Sequence, residues 1–174
     1  MAEGMLSKGI ALSYAASAPT TTASDFTVLQ NLQEIPDFGS GDADTVETTT
    51  LAHSTRTYIK GLKDVGDGLE FTFLYTSNSD ADSSFRVLKG IEEADTSNFY
   101  VLSFPDGTIG YFKGKVSVSI NGAGAGDALQ FTANIVPASD ITIAFGATLA
   151  FKKGQTSQSA LDEETTTINI ELAS

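Results

Sequence analysis

Apolar and polar residues alternate with a period of two along much of this 174-residue chain, and turn-forming residues fall between the alternating runs. In an extended chain that period sends successive side chains to opposite faces, so each run reads as a short strand with one buried face. The implied fold class is mostly β: an antiparallel β-sandwich or barrel flanked by one short α-helix, with a long loop and terminal arms. Ile10, Leu12 and Tyr14 open the pattern. Further on, Leu69, Phe71, Phe73 and Tyr75 share a face against Glu70, Thr72 and Thr76, with Leu74 the exception. Residues 98–104 and 108–120 flank Pro105-Asp106-Gly107. Proline presets the first turn position and glycine permits a positive φ, so this pair is a predicted hairpin. Its second strand sorts Phe112, Val116, Val118 and Ile120 from Tyr111, Lys113, Lys115, Ser117 and Ser119. Gly114 falls on the apolar face, as a bulge or a point of close contact.

After a glycine-rich flexible connection, Gly122 to Asp127, another strand alternates Leu129, Phe131, Ala133 and Ile135 until Pro137, which lacks an amide donor and stops the ladder. Ile141, Ile143 and Phe145 continue the alternation. Only residues 79–90 change period: Phe85, Leu88 and Ile91 recur at helical spacing, with Ser79 or Asp80 as candidate cap and Gly90 as stop. Domain organisation follows as a β-sandwich domain over 1–146, in which 37–68 is a long loop region, and a C-terminal strand or arm over 147–174. Within the loop region, 37–50 places Asp37, Asp42, Asp44 and Glu47 among Gly, Ser and Thr, which predicts a solvated, mobile loop. Residues 54–68 mix Tyr58, Ile59 and Leu62 with Arg56, Lys60 and Lys63, apolar enough to dock on another chain yet not periodic enough for a buried strand.

Composition removes several classes of function. With 10 basic and 22 acidic side chains the net charge is 10 minus 22, or −12, which repels phosphates and argues against gripping nucleic acid. There is no cysteine, so neither a disulfide framework nor a thiolate zinc site exists, and the chain is long enough to rely on a packed core. The uncharged run between Asp140 and Lys152 is far short of the roughly 20 apolar residues of a membrane helix, and no membrane partner is expected. Lys8, the run 9–15 and Ala16-Ser17-Ala18 outline a leader peptide, but Glu3 spoils its basic start and the same residues fit a first strand at least as well.

No catalytic constellation emerges. His53, the one histidine, sits in Leu51-Ala52-His53-Ser54-Thr55 without the signature of a nucleophile elbow or a zinc helix, and reads as a loop residue. The acidic pairs Asp42/Asp44, Asp80/Asp82, Glu92/Glu93 and the run 162–164 lack the ligand order of a calcium loop and read as solvated surface. The glycines at 122–126 have no lysine or helix start after them to hold a phosphate. The expectation is a protein that is not an enzyme and uses no cofactor or metal.

The distinctive local sequences are Thr48-Thr49-Thr50-Leu51, Tyr58-Ile59-Lys60-Gly61-Leu62-Lys63-Asp64-Val65-Gly66, Phe104-Pro105-Asp106-Gly107-Thr108 and Phe112-Lys113-Gly114-Lys115-Val116. Their order and spacing, from about Ile35 to Ser139, resemble the major tail tube proteins of long, non-contractile-tailed bacteriophages of the lambda-like kind. The resemblance implies a structural virion protein whose hexameric rings, assembled in the host cytoplasm, stack into a hollow tube for genome ejection. It also implies as partners further copies of the chain and the tail tip or baseplate, tape-measure and tail terminator proteins, with DNA passing through the lumen unbound. The acidic surface suits such a pore. Under this resemblance Val46, Leu51, Tyr58, Ile59 and Leu62, apolar residues in an otherwise polar segment, are the expected ring-to-ring interface. The last 28 or so residues depart from the family, being too few for the extra immunoglobulin-like domain of some members. The ring-forming tube component of the type VI secretion system shares the fold and assembly logic, and a surface β-sandwich that binds carbohydrate or a receptor shares the strand pattern.

Overall fold

In a computed structural model, residues 9–39, 43–52, 54–63, 68–76, 83–151 and 167–174 are described. The strands are β1 (Ala11–Ala15), β2 (Ser24–Leu29), β3 (Leu32–Glu34), β4 (Ala43–Glu47), β5 (Tyr58–Lys63), β6 (Leu69–Leu74), β7 (Asn98–Ser103), β8 (Ile109–Ile120), β9 (Gln130–Pro137), β10 (Thr142–Ala144), β11 (Thr148–Phe151) and β12 (Thr167–Glu171). One helix, α1 (Ser84–Ala94), lies between β6 and β7. Ten strands form a curled antiparallel sheet in the order β11-β12-β2-β1-β7-β8-β9-β6-β3, with β10 branching from β8, while β4 and β5 pair only with each other. Among the described residues the architecture is a β-sandwich or half-barrel with one short helix.

The predicted hairpin organises the sheet. At its turn the Gly107 amide donates to the Phe104 carbonyl (3.1 Å), the Thr108 amide donates to the Asp106 carboxylate (3.0 Å), and Gly107 has φ +87°. The twelve residues of β8 then serve three neighbours. Residues 109–114 pair β7, residues 114–120 pair β9, and residues 109–111 pair β10. Thus β9 and β10 run end to end beside β8, joined where the Ala138 amide donates to the Lys113 carbonyl (2.6 Å) and the Lys113 amide donates to Ser139 Oγ (2.9 Å).

Two apolar clusters sit on opposite faces. Leu12, Tyr100, Leu102, Phe112, Val116, Phe71, Phe73, Phe131 and Ile135 fill one, roofed by Leu88, Phe85, Val87 and Ile91 of the helix. Ala11, Val101 and Ile109, the alternate residues of the same strands, meet Phe26, Val28, Ile168 and Ile170 in the other. β1, β7 and the start of β8 are therefore buried on both sides. That accounts for the unbroken apolar run Tyr100-Val101-Leu102, since a strand covered on two faces has no polar side to show. Ile168 and Ile170 are fully buried, so β12 supplies part of the second core through its pairing with β2.

The structure corrects three expectations. Residues 43–47, predicted as mobile loop, are strand β4, paired with β5; β4 is exposed along most of its length and so lacks the alternation that marks a half-buried strand. Gly90 does not stop the helix: nothing lies within 4 Å of where its side chain would be, and the helix runs on so that Ile91 packs on the core. It ends instead at Asp95, in the left-handed region at φ +51°, whose amide donates to the Glu92 carbonyl (3.0 Å). The alternation at 141–145 fails as a burial pattern, because Ile141 is buried while Ile143 and Phe145 are exposed. Of the two readings of Gly114, close contact is the one realised: the register of β8 runs through it unbroken, and a Cβ there would lie 2.6 Å from the Val136 carbonyl oxygen. His53, the cap candidates Ser79 and Asp80 and the acidic groups at 80–82 and 162–164 lie outside the described residues. So do residues 64–66, the polar stretch 155–159, Asp42 and Lys8.

Candidate assembly surface

The five residues singled out from the sequence fall in or beside the β4–β5 ribbon. Its register sets Thr45 opposite Lys60, Val46 opposite Ile59 and Glu47 opposite Tyr58. Residues directly opposite in an antiparallel pair share a face, and neighbours along a strand alternate. Val46 and Ile59 therefore form one face, and Thr45, Glu47, Tyr58 and Lys60 the other. The register slips between Ala43 and Thr45, and Gly61 sits there: a Cβ would lie 2.9 Å from the Asp44 carbonyl oxygen. Beyond the strands, the Thr48 amide donates to the Thr57 carbonyl (2.8 Å) and the Thr57 amide donates to Thr49 Oγ1 (3.0 Å). Arg56 Nε stands 4.0 Å from Glu47 Oε1, a solvated pair of little energetic weight.

Both faces of the ribbon meet solvent. Val46 is 51% exposed, Tyr58 53% and Ile59 56%, while Leu51, in the turn between the strands, is fully exposed. Leu62 lies on β5, and its side chain is outside the described residues. The structure thus brings Val46 and Ile59 together, turns Tyr58 to the opposite face and leaves Leu51 at the tip. An isolated two-stranded ribbon is marginal in water, and an apolar face on one calls for cover.

A second exposed apolar group was not anticipated. Ala11, Ser103, Ile109 and Ala144 form one row across β1, β7, β8 and β10, so Ile10, Phe104 and Phe145 lie just past the row, at the end of the sheet marked by the hairpin turn. The Phe38 ring lies over Gly110, leaving no room for a side chain there, and stands 5.9 Å from the Phe112 ring; Ile143 is directly opposite Gly110. Phe145 is 74% exposed, Ile143 and Ile35 are also exposed, and a groove lined by Ile10, Leu32 and Ile35 opens nearby. Glu34 beside the groove and Asp106 in the hairpin turn are exposed acidic residues of this end. The signal available was local: Phe145 precedes Gly146, whose φ of +69° turns the chain so that the Ala147 amide reaches the Gly107 carbonyl (2.9 Å).

Chemistry elsewhere is sparse. Among the described residues no three His, Cys, Asp or Glu side chains gather as a metal site, and no helix is long and apolar enough to cross a membrane. Hydrogen bonds from the Thr108 backbone and side chain hold the Asp106 carboxyl below its ordinary range, which tightens the turn. A hydrogen bond to Glu92 (2.8 Å) raises Lys89 on the helix surface. Burial pushes the Tyr100 hydroxyl up to about 12, opposed in smaller part by Asn98. That hydroxyl makes no hydrogen bond of good geometry, so it has the character of a core group. Searched against models of known families, the chain matches none, and no curated protein matches it significantly in sequence.

Proposed function

We propose that this protein is a structural subunit that polymerises through its β4–β5 ribbon, as stacked rings forming the tail tube of a long-tailed bacteriophage. The observation that carries the reading is the ribbon, two strands that pair with each other and not with the ten-stranded sheet, with apolar side chains about half exposed. A subunit that must touch several copies of itself needs surfaces that are complete only in the assembly. The surrounding β fold agrees with the family resemblance of the sequence, and the charge of −12 keeps free subunits apart and a tube lumen unattractive to DNA. The test is negative-stain electron microscopy with sedimentation over a concentration series, alone and with tail-tip components. Rings or tubes with a central hole are expected. Val46→Asp with Ile59→Asp, or deletion of 39–45, is expected to leave a folded chain that no longer polymerises. A monomer under every condition, or normal tubes from these variants, overturns the proposal.

A further inference from the structure

The glycine-rich connection between β8 and β9 begins with the one Asn-Gly pair of the chain, Asn121-Gly122; the other asparagines precede leucine, serine, phenylalanine or isoleucine. These two neighbours are held very differently. The Asn121 amide donates to the Gln130 carbonyl (2.9 Å), and the side-chain Oδ1 accepts from Thr132 Oγ1 (2.9 Å), so Asn121 is fixed to the end of the sheet. Gly122 is exposed, and nothing lies within 4 Å of where its side chain would be. Among the described residues its amide has no hydrogen-bond acceptor. From this pairing of an anchored carboxamide with a free, unhindered amide we infer that Asn121 is a site of spontaneous deamidation, with the Gly122 backbone nitrogen as the nucleophile.

The first step closes a ring. The Gly122 amide nitrogen gives up its proton to hydroxide and bonds to Asn121 Cγ; the Cγ–Nδ2 bond breaks, and Nδ2 leaves as ammonia after taking a proton from water, which restores the hydroxide. A side chain at residue 122 would crowd the nitrogen as it swings onto Cγ, and glycine leaves both that path and the backbone rotation free. The Thr132 hydroxyl, donating to Oδ1, polarises Cγ towards the attack. Water then opens the cyclic imide. Addition at Cγ leaves aspartate, and addition at the main-chain carbonyl leaves isoaspartate, with the chain running through the side chain. Either product is ionised, so the net charge moves from −12 to 10 minus 23, or −13. The hairpin turn shows the opposite arrangement. Asp106-Gly107 has the same spacing, but the Gly107 amide donates to the Phe104 carbonyl (3.1 Å) and the Asp106 carboxylate accepts from the Thr108 amide (3.0 Å), so neither reacting group is free. Hydrogen bonds from Thr108 also keep that carboxyl in its ionised form, which resists attack.

The reaction needs no partner and so does not depend on assembly. The test is a time course of the full chain in mildly alkaline buffer made with heavy-oxygen water, followed by digestion and tandem mass spectrometry. Each ring opening writes a heavy oxygen into the residue. Label is expected at residue 121, divided between aspartate and isoaspartate and accumulating faster at higher pH, while Asp106 and the other asparagines stay largely unlabelled over the same period. Unfolding in guanidinium chloride frees the Gly107 amide and is expected to bring label to residue 106. Gly122→Ala places its methyl group in open space, so it should melt like the wild type. Its labelling at residue 121 should be slower by about fivefold or more, the lost backbone freedom of glycine read as a rate. Label that reaches residue 121 only after unfolding, Asp106 labelled as fast as Asn121 in the folded chain, or unchanged labelling in Gly122→Ala overturns the inference.

Discussion

Truncating the helix face that roofs the core separates two kinds of contact that look alike in the sequence. Phe85 and Leu88 recur one turn apart, but Leu88 is fully buried and Phe85 only half-buried. Phe85 meets Tyr75 and Phe131 edge-on, each at 5.2 Å between ring centroids. Complete burial of such a ring is worth about 1.5–3 kcal/mol, so half burial contributes about 1 kcal/mol. Two edge-to-face pairs add about 0.5–1 kcal/mol each. Phe85→Ala should then cost about 2–3 kcal/mol, below the 3–5 kcal/mol of a fully buried phenylalanine. Leu88→Ala leaves a cavity under the helix and should cost about 3–4 kcal/mol. Urea unfolding followed by circular dichroism reads both, provided the slope with denaturant is unchanged. If Phe85→Ala costs no more than the roughly 1 kcal/mol of its partial burial, the edge-on pairs do not help to hold the helix. If it melts like the wild type but fails to assemble, that face belongs to an interface.

Other perturbations test other parts of the fold. Gly114→Ala forces a methyl group against the Val136 carbonyl and should destabilise by about 1–3 kcal/mol, read in the same unfolding assay; a neutral result would mean that β8 and β9 can separate freely there. Tyr100 holds its proton more tightly folded than unfolded, so its contribution is whole below pH 10 and declines as pH rises from 10 towards about 12. The wild-type denaturation midpoint should fall over that window more steeply than that of Tyr100→Phe. Ile170→Ala, four residues from the C-terminus but fully buried against β2, should cost about 2–5 kcal/mol, whereas a loose arm would show no loss of melting temperature.

Legibility in the sequence followed burial. Strands with one wet face, such as β6 and the second half of β8, announced themselves, because Phe71 and Phe73 or Val116 and Val118 had polar neighbours to contrast with. The hairpin was visible through Pro105-Asp106-Gly107, whose backbone needs are local. What escaped was decided by tertiary contact. Gly90 looks like a helix stop until one sees that the core continues far enough to hold Ile91, and Asp95 takes the left-handed turn instead. Ile143 and Phe145 share the alternation of Ile141, yet the Phe38 ring occupies the space over Gly110 and the core ends there. Of the predicted interface residues, the apolar character was readable; their division between two faces depended on a cross-strand register that no single segment encodes.

That division has a consequence for assembly. A ribbon seated by one face on a partner covers Val46 and Ile59 together and leaves Tyr58, across the ribbon, in solvent. Ile59→Ser should then abolish polymerisation while Tyr58→Ser leaves it largely intact, although the two residues are adjacent in sequence and almost equally exposed, at 56% and 53%. Neither change touches the core, so both variants should melt within about 0.5 kcal/mol of the wild type. Sedimentation at matched concentrations reads the difference. Equal loss from both substitutions would refute seating by one face: the ribbon would have to be enclosed on two sides, between two neighbouring copies, and Glu47 and Lys60 would become buried charges that need partners of their own.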